Sequence, residues 1–349
     1  GNGNYTRNCQ QFFEKRFGFP KVLLTTSCSD ALEMAALLLD IKPDDEVIIP
    51  SYTFVSTANA FALRGAKIVF ADSGSDNPNI DPAFIESLIT PKTRAIVVVH
   101  YGGIACDMDS ISALAEKYHL AIVEDAAQAV DAFYKDKPLG SFGVTAAFSF
   151  HETKNITSGE GGMLVVNDPE LIQKAEIIWE KGTNRAAFAR GEVEKYEWVS
   201  LGSSFLPNEL TAAFLFGQTE HLDIIQQKRM QIWQEYYRLL KPLANEGYFH
   251  LPVVPDYARH NGHLFYITTR NSDERDLLLA YLHKNGVQAV FHYLSLHNSP
   301  YFKGRHDGRK LTEADRYAST LLRLPFYFGL ETNEIDYIVE VIKAFYKRN

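Results

Sequence analysis

The sequence predicts an α/β fold with a mostly parallel sheet, followed by a smaller α+β domain. Three observations predict it. Over 1–217, short apolar runs alternate with helical stretches, and strands separated by helices pair in parallel with helices on both faces. Beyond about 218 the pattern changes to long polar helices and short strands. A chain of 349 residues, 46% of them apolar, is long enough for two domains, expected over 1–217 and 218–349.

The elements follow in order. A helix is expected over 9–17 and a strand over 22–24. Thr25-Thr26-Ser27-Cys28-Ser29-Asp30 then leads a densely apolar helix over 31–39, with Asp30 and Glu33 at capping-box spacing. A helix start with exposed amides among hydroxyl side chains is a phosphate seat, and ordinary capping explains the same residues. A strand over 46–50 runs into Ser51-Tyr52-Thr53-Phe54. Phe54 either stacks on a flat cofactor or belongs to the core. Strands over 67–70, 95–100 and 120–124 alternate with helices over 81–88 and 110–118.

In such sheets ligands bind beyond the carboxyl ends of the strands. Asp125 stands at such an end and opens Asp125-Ala126-Ala127-Gln128. Its carboxylate suits a protonated ring nitrogen, or else caps a following helix. The apolar run 144–150 ends in His151-Glu152-Thr153-Lys154-Asn155, ahead of Gly159-Glu160-Gly161-Gly162 and a second apolar segment, 163–166. A lysine on a turn at the end of a buried strand can lose its proton and attack a carbonyl. The alternative is a solvated loop lysine. No GxGxxG follows the first strand, so a dinucleotide site is not indicated. In the second part, helices are expected over 224–240, 273–283 and 336–346, with strands over 264–268 and 287–291. His292, His297 and Arg323 there are either lid and substrate contacts or structural groups.

Composition narrows the function classes. A net charge of −8 argues against a nucleic-acid partner. Three cysteines without CxxC spacing suit a reducing cytoplasm, and no apolar run is long enough to span a membrane. His100, His119, His151 and His292 lack ligand spacing, so no metal is expected. The opening Gly1-Asn2-Gly3 lacks methionine, and the natural start is expected upstream.

Several stretches together resemble the DegT–StrS family of nucleotide-sugar aminotransferases. They are Ser27-Cys28-Ser29-Asp30-Ala31-Leu32, Pro50-Ser51-Tyr52-Thr53-Phe54, Val123-Glu124-Asp125-Ala126-Ala127-Gln128, Phe148 through Asn155, and Glu160-Gly161-Gly162. The resemblance covers nearly the whole chain and implies the fold-type-I architecture of pyridoxal phosphate (PLP) enzymes. It implies that Lys154 holds PLP as a Schiff base and later moves the proton between two carbons. Asp125 then keeps the pyridine nitrogen protonated, with Gln128 by one ring face or the ring hydroxyl and Phe54 on the other face. The amides of Cys28 and Ser29, with the Ser149 hydroxyl, seat the phosphate. Ser204 stands where many relatives carry an asparagine that reaches a neighbouring subunit's phosphate.

The implied working unit is a cytoplasmic homodimer with shared active sites. The implied reaction moves an amino group from glutamate to carbon 4 of a dTDP-4-keto-6-deoxyhexose, giving dTDP-4-amino-4,6-dideoxygalactose for cell-surface polysaccharide. Alternatives are amination at carbon 3, a gluco product, a non-catalytic PLP-binding regulator, or a dehydratase with histidine in place of Lys154.

Overall fold

The computed structural model describes residues 2–348; Gly1 and Asn349, the outer limits of the two expected domains, lie outside the described residues. Nine strands lie in the first part: β1 Val22–Thr25, β2 Glu46–Pro50, β3 Lys67–Ala71, β4 Thr93–Val99, β5 Ala121–Asp125, β6 Phe133–Tyr134, β7 Lys137–Pro138, β8 Thr145–Ser149 and β9 Gly162–Val166. Five follow: β10 Phe249–His250, β11 Ala258–Arg259, β12 Tyr266–Thr269, β13 Val290–Phe291 and β14 Leu321–Arg323. The early helices are α1 Asn4–Phe17, α2 Cys28–Leu38, α3 Val55–Ala62, α4 Pro82–Ile85, α5 Met108–Tyr118, α6 Ile172–Trp179, α7 Arg185–Ala189 and α8 Glu209–Thr219. The later ones are α9 Leu222–Asn245, α10 Ser272–Lys284, α11 Thr312–Thr320 and α12 Thr332–Arg348.

The main sheet has the order β1-β9-β8-β5-β4-β2-β3 and is parallel except for β9, which runs against both β1 and β8. Its strands are buried on both faces, which is why they read as continuous apolar runs. Alternate side chains serve opposite cores. Leu24, Ile48, Val98 and Phe148 join Phe13 of α1 and Ile111 of α5 on one face. Leu23, Val47, Val97 and Ala147 join Leu32 of α2 and Phe61 of α3 on the other. Each fully buried Leu, Ile or Phe contributes about 1.5–3 kcal/mol.

A second sheet, β10-β12-β14-β13, is antiparallel and packs with α9, α10 and α12 around its own core. Helix α9 joins the two parts. Leu222 and Ile225 sit in the first core, whereas Ile232, Trp233 and Tyr236 sit in the last.

Three local expectations change. The first helix starts at Asn4, because the Glu209 carboxylate accepts the amides of Gly3, Tyr5 and Thr6 from the distant start of α8. Helix α2 is capped by Ser27, whose hydroxyl accepts the Asp30 amide, and not by Asp30 itself. No helix follows Asp125: its Oδ1 accepts the Ala127 amide within a turn. That geometry removes the helix-capping alternative.

Candidate active site

Strand register assembles the site. Thr25 pairs with Gly162, which pairs with Ser149, and two residues before Ser149, Ala147 lies beside Asp125. The ends of β1, β8 and β5 therefore meet at one edge of the sheet, together with the start of α2. Gly162 allows the closest approach: a Cβ there would lie 2.5 Å from the Cys28 nitrogen. Any side chain would push the α2 start away from the strand end.

A cavity of about 520 Å³ opens at this edge. Of the residues singled out from sequence, Cys28, Ser29, Phe54, Asp125, Gln128, Ser149 and Lys154 all line it. Ser204 does not: it is exposed, on a segment whose backbone bridges Glu180. His292 and Arg323 join the lining from the second part of the chain, whereas His297 is turned to Ser51, its Nδ1 lying 2.7 Å from the Ser51 hydroxyl.

Asp125 is buried, and its carboxylate is oriented from two sides. The Thr57 hydroxyl donates to Oδ2 at 2.6 Å and the Ala127 amide to Oδ1 at 3.2 Å. Because Thr57 gives its one proton to Asp125, the Thr53 hydroxyl at 2.8 Å must donate to Thr57. Burial pushes the Asp125 carboxyl above its ordinary range, against the pull of Thr57, Ala127 and Lys154. Burial lowers the Lys154 amine, with Arg323 acting the same way and Cys28 and Asp125 opposing it. A larger neutral fraction of amine results.

Gln128 is fixed at both ends: Oε1 accepts the Gly102 amide at 2.6 Å, and Nε2 donates to the Tyr293 hydroxyl at 3.1 Å. The Phe54 ring is half-exposed and tilts against Tyr293 at 6.0 Å. The Ser29 hydroxyl meets that of Ser56 at 2.6 Å. At the start of α2, the amides of Cys28 and Ser29 have no intrahelical acceptor, and both residues line the cavity.

These residues fit PLP. Asp125 is a buried carboxylate with no ion-pair partner among the described residues, as a protonated ring nitrogen requires. The free amides of α2 suit a phosphate, Phe54 offers a ring face, and Lys154 offers an amine. Among the described residues no group of three or more His, Cys, Asp or Glu is placed to hold a metal ion, and no helix is long and apolar enough to cross a membrane.

Sequence reasoning missed Thr57, Ser56 and His263. All three lie at or beside the cavity but had no motif around them, since their role depends on which strand ends meet.

Known proteins bear on this geometry. A model of the DegT/DnrJ/EryC1/StrS aminotransferase family matches residues 1–343. The chain is 34% identical to the spore coat polysaccharide biosynthesis protein SpsC of Bacillus subtilis, over 97% of this chain and 89% of that one. It is 36% identical to a pleiotropic regulatory protein of Geobacillus stearothermophilus, over 91% and 83% respectively. Among solved structures, DesV of S. venezuelae, in complex with a ketimine intermediate, aligns with a TM-score of 0.90 and 32% identity, over 98% of this chain and 89% of that one.

Proposed function

The chain belongs to the DegT/DnrJ/EryC1/StrS aminotransferase family, and from that premise we propose that it moves an amino group from glutamate to carbon 4 of a dTDP-4-keto-6-deoxyhexose, giving dTDP-4-amino-4,6-dideoxygalactose. It is a PLP-dependent sugar aminotransferase with the fold-type-I architecture. One observation carries the site assignment: a buried carboxylate and a lysine of lowered basicity face one cavity at the strand ends.

When bound, PLP supplies an electron sink that lets a substrate carbon–hydrogen bond ionise. Lys154 would hold the cofactor through its side-chain amine and would serve as the base that takes and returns the substrate's proton. Asp125 keeps a proton on the ring nitrogen, with Thr57 and Ala127 holding the carboxylate in place. The Cys28 and Ser29 amides and the Ser149 hydroxyl would take the phosphate, and Phe54 and Gln128 would stand by the ring.

Arg323 supports an anionic donor such as glutamate. It lines the cavity with a buried Nε that has no hydrogen-bond partner, and no carboxylate pairs with it among the described residues. The acceptor must be a ketone, since only a carbonyl condenses with the amine. Whether a galacto or gluco product forms depends on which side of the sugar ring Lys154 occupies. The polysaccharide setting is favoured by the name of the SpsC relative. The presence of Lys154 favours an enzyme over a regulator, whatever the name of the Geobacillus relative.

The working unit is a homodimer that buries large apolar side chains exposed in the single chain, Trp198 and Leu201 ahead of α8 and Leu210 and Phe214 within it. Ser204 and the 181–185 loop then reach the partner's cavity. Three free cysteines favour a reducing compartment, the cytoplasm.

The test is to incubate the enzyme with glutamate and the dTDP-4-keto sugar and solve the product by NMR. A small coupling between the protons on carbons 3 and 4 is expected. A large axial–axial coupling would replace galacto by gluco, and an amine on carbon 3 would overturn the regiochemistry.

A further inference from the structure

Lys154 rides on the irregular loop between β8 and β9, whose main-chain bonds stay within the loop. The Phe150 amide donates to the Gly161 oxygen at 2.8 Å, the Ser158 amide to the Phe150 oxygen at 2.8 Å and the Lys154 amide to the His151 oxygen at 2.9 Å. Among the described residues, every hydrogen bond from 151–157 to residues outside 149–161 is made by one side chain, that of Asn155, the residue next to Lys154. Its orientation is fixed. Nδ2 lies 2.9 Å from the main-chain oxygen of Asn261, which only accepts, so the amide nitrogen faces it and donates. The other Nδ2 hydrogen goes to Gln226 Oε1 at 2.8 Å, and Oδ1 faces His263 Nδ1 at 2.8 Å. Asn155 is buried and does not line the cavity.

Asn261, in the segment entering β12, is buried in turn and fastened to the other side of the site. Its Nδ2 donates to the main-chain oxygens of Gln128 at 2.9 Å and Val130 at 2.8 Å, in the stretch that follows Asp125. That stretch is pinned to the sheet: the Ala126 amide donates to the Ala147 oxygen at 2.9 Å, and β5 pairs with both β4 and β8. The seat is close. A Cβ on Gly103, whose φ is +75°, would lie 1.9 Å from Asn261 Oδ1, so a side chain there would displace Asn261. Two buried amides thus join the end of β5 to the loop that carries Lys154.

We propose that Asn155 is a positioning residue for Lys154, tethered through Asn261 to the turn after Asp125, so that the lysine amine and the carboxylate keep a fixed separation. This rests on Lys154 and Asp125 holding PLP. The cofactor ring is rigid, and its nitrogen and its aldehyde-bearing carbon are opposite corners of it. A lysine loop free to drift from Asp125 meets the aldehyde less often.

The test compares two ligands in the full chain freed of cofactor. PLP condenses with the Lys154 amine, forming a carbon–nitrogen double bond and releasing water. Pyridoxine 5′-phosphate carries an alcohol in place of the aldehyde and cannot. Both use the Asp125 carboxylate and the phosphate seat. Asn155→Ser is too short to reach the Asn261 oxygen. Well below its melting temperature it should weaken PLP binding by roughly tenfold, the worth of one hydrogen bond, and leave pyridoxine phosphate binding within about twofold of native. Asn261→Ser cuts the same tether at its other end and should do the same. Gln226→Leu removes a neighbour of Asn155 from the same buried network but leaves the tether. It should lower the melting temperature with both affinities native.

Equal weakening of both ligands in Asn155→Ser, or an unchanged PLP affinity, would overturn the proposal. So would Gln226→Leu weakening PLP selectively to the same extent. If Asn155→Ser does not fold, Asn261→Ser decides by the same comparison. In native protein labelled with 15N-asparagine, the side-chain amides of Asn155 and Asn261 should be protected from deuterium exchange, and rapid exchange would overturn the tether without any variant. Borohydride fixation of PLP at a residue other than Lys154 would sink the site assignment separately.

Discussion

Replacing Thr57 by valine probes the core of the site, because the change removes one hydroxyl and little volume. In the native protein that hydroxyl donates 2.6 Å to Asp125 Oδ2, and both residues are buried. A hydrogen bond to a charged group contributes about 1.5–3 kcal/mol. At about 1.36 kcal/mol per pKa unit, its loss raises Asp125 by roughly one to two units. Burial already holds this carboxyl above its ordinary value, so the shift continues in the same direction. The ionised form is then lost at higher pH. In the pH profile of kcat/KM the acid limb should move up by roughly one to two pH units, with the alkaline plateau little changed. Thr57→Ser, which keeps the hydroxyl, should leave the limb in place. The valine variant also strands the buried Thr53 hydroxyl, at a cost of about 1–3 kcal/mol that thermal melting will read. An acid limb for Thr57→Val that superposes on the native one would refute the account of how Asp125 is tuned.

Lys154→Ala should lose the cofactor band fixed by borohydride and at least about 10²-fold in turnover, whereas Asp125→Asn should keep bound cofactor yet lose most activity; absorption spectra with rate assays separate the two. Arg323→Gln should raise the KM for glutamate by roughly tenfold or more while leaving that for the keto sugar nearly unchanged, in steady-state kinetics with each substrate varied in turn. Glu124 is buried and accepts from His100 Nε2 at 3.0 Å and from the amides of Gly140, Phe142 and Gly143. Burial pushes its carboxyl up, but these donors hold it below the ordinary glutamate value. Its stabilisation is therefore present above the unfolded-state value and lost as pH falls through the lower folded one. Denaturant melts should show Glu124→Gln less stable by about 3–5 kcal/mol at neutral pH, with the gap closing on acidification. Trp198→Asp should shift the protein from dimer to monomer in light scattering and reduce activity; a fully active monomer would refute shared active sites.

The sequence by itself determined the alternation of strands and helices, since burial on both faces of a parallel sheet leaves continuous apolar runs such as Val47–Ile49 and Ala146–Phe148. It also pointed to Lys154, Asp125 and the α2 start as cavity-lining positions, because each stands at an element end marked by a change from apolar to polar residues. Tertiary structure decided the rest, for reasons of distance along the chain. The early start of α1 depends on Glu209, some 200 positions away. The antiparallel course of β9 depends on the chain doubling back over the irregular stretch 150–161, which no periodicity encodes. Thr57 and Asp125 are 68 residues apart, and His263 and Asn155 are 108 apart. Each such pair joins residues far apart in the chain at or beside the cavity, and hydrogen bonding depends on where atoms come to lie, which only the packed sheets and helices fix.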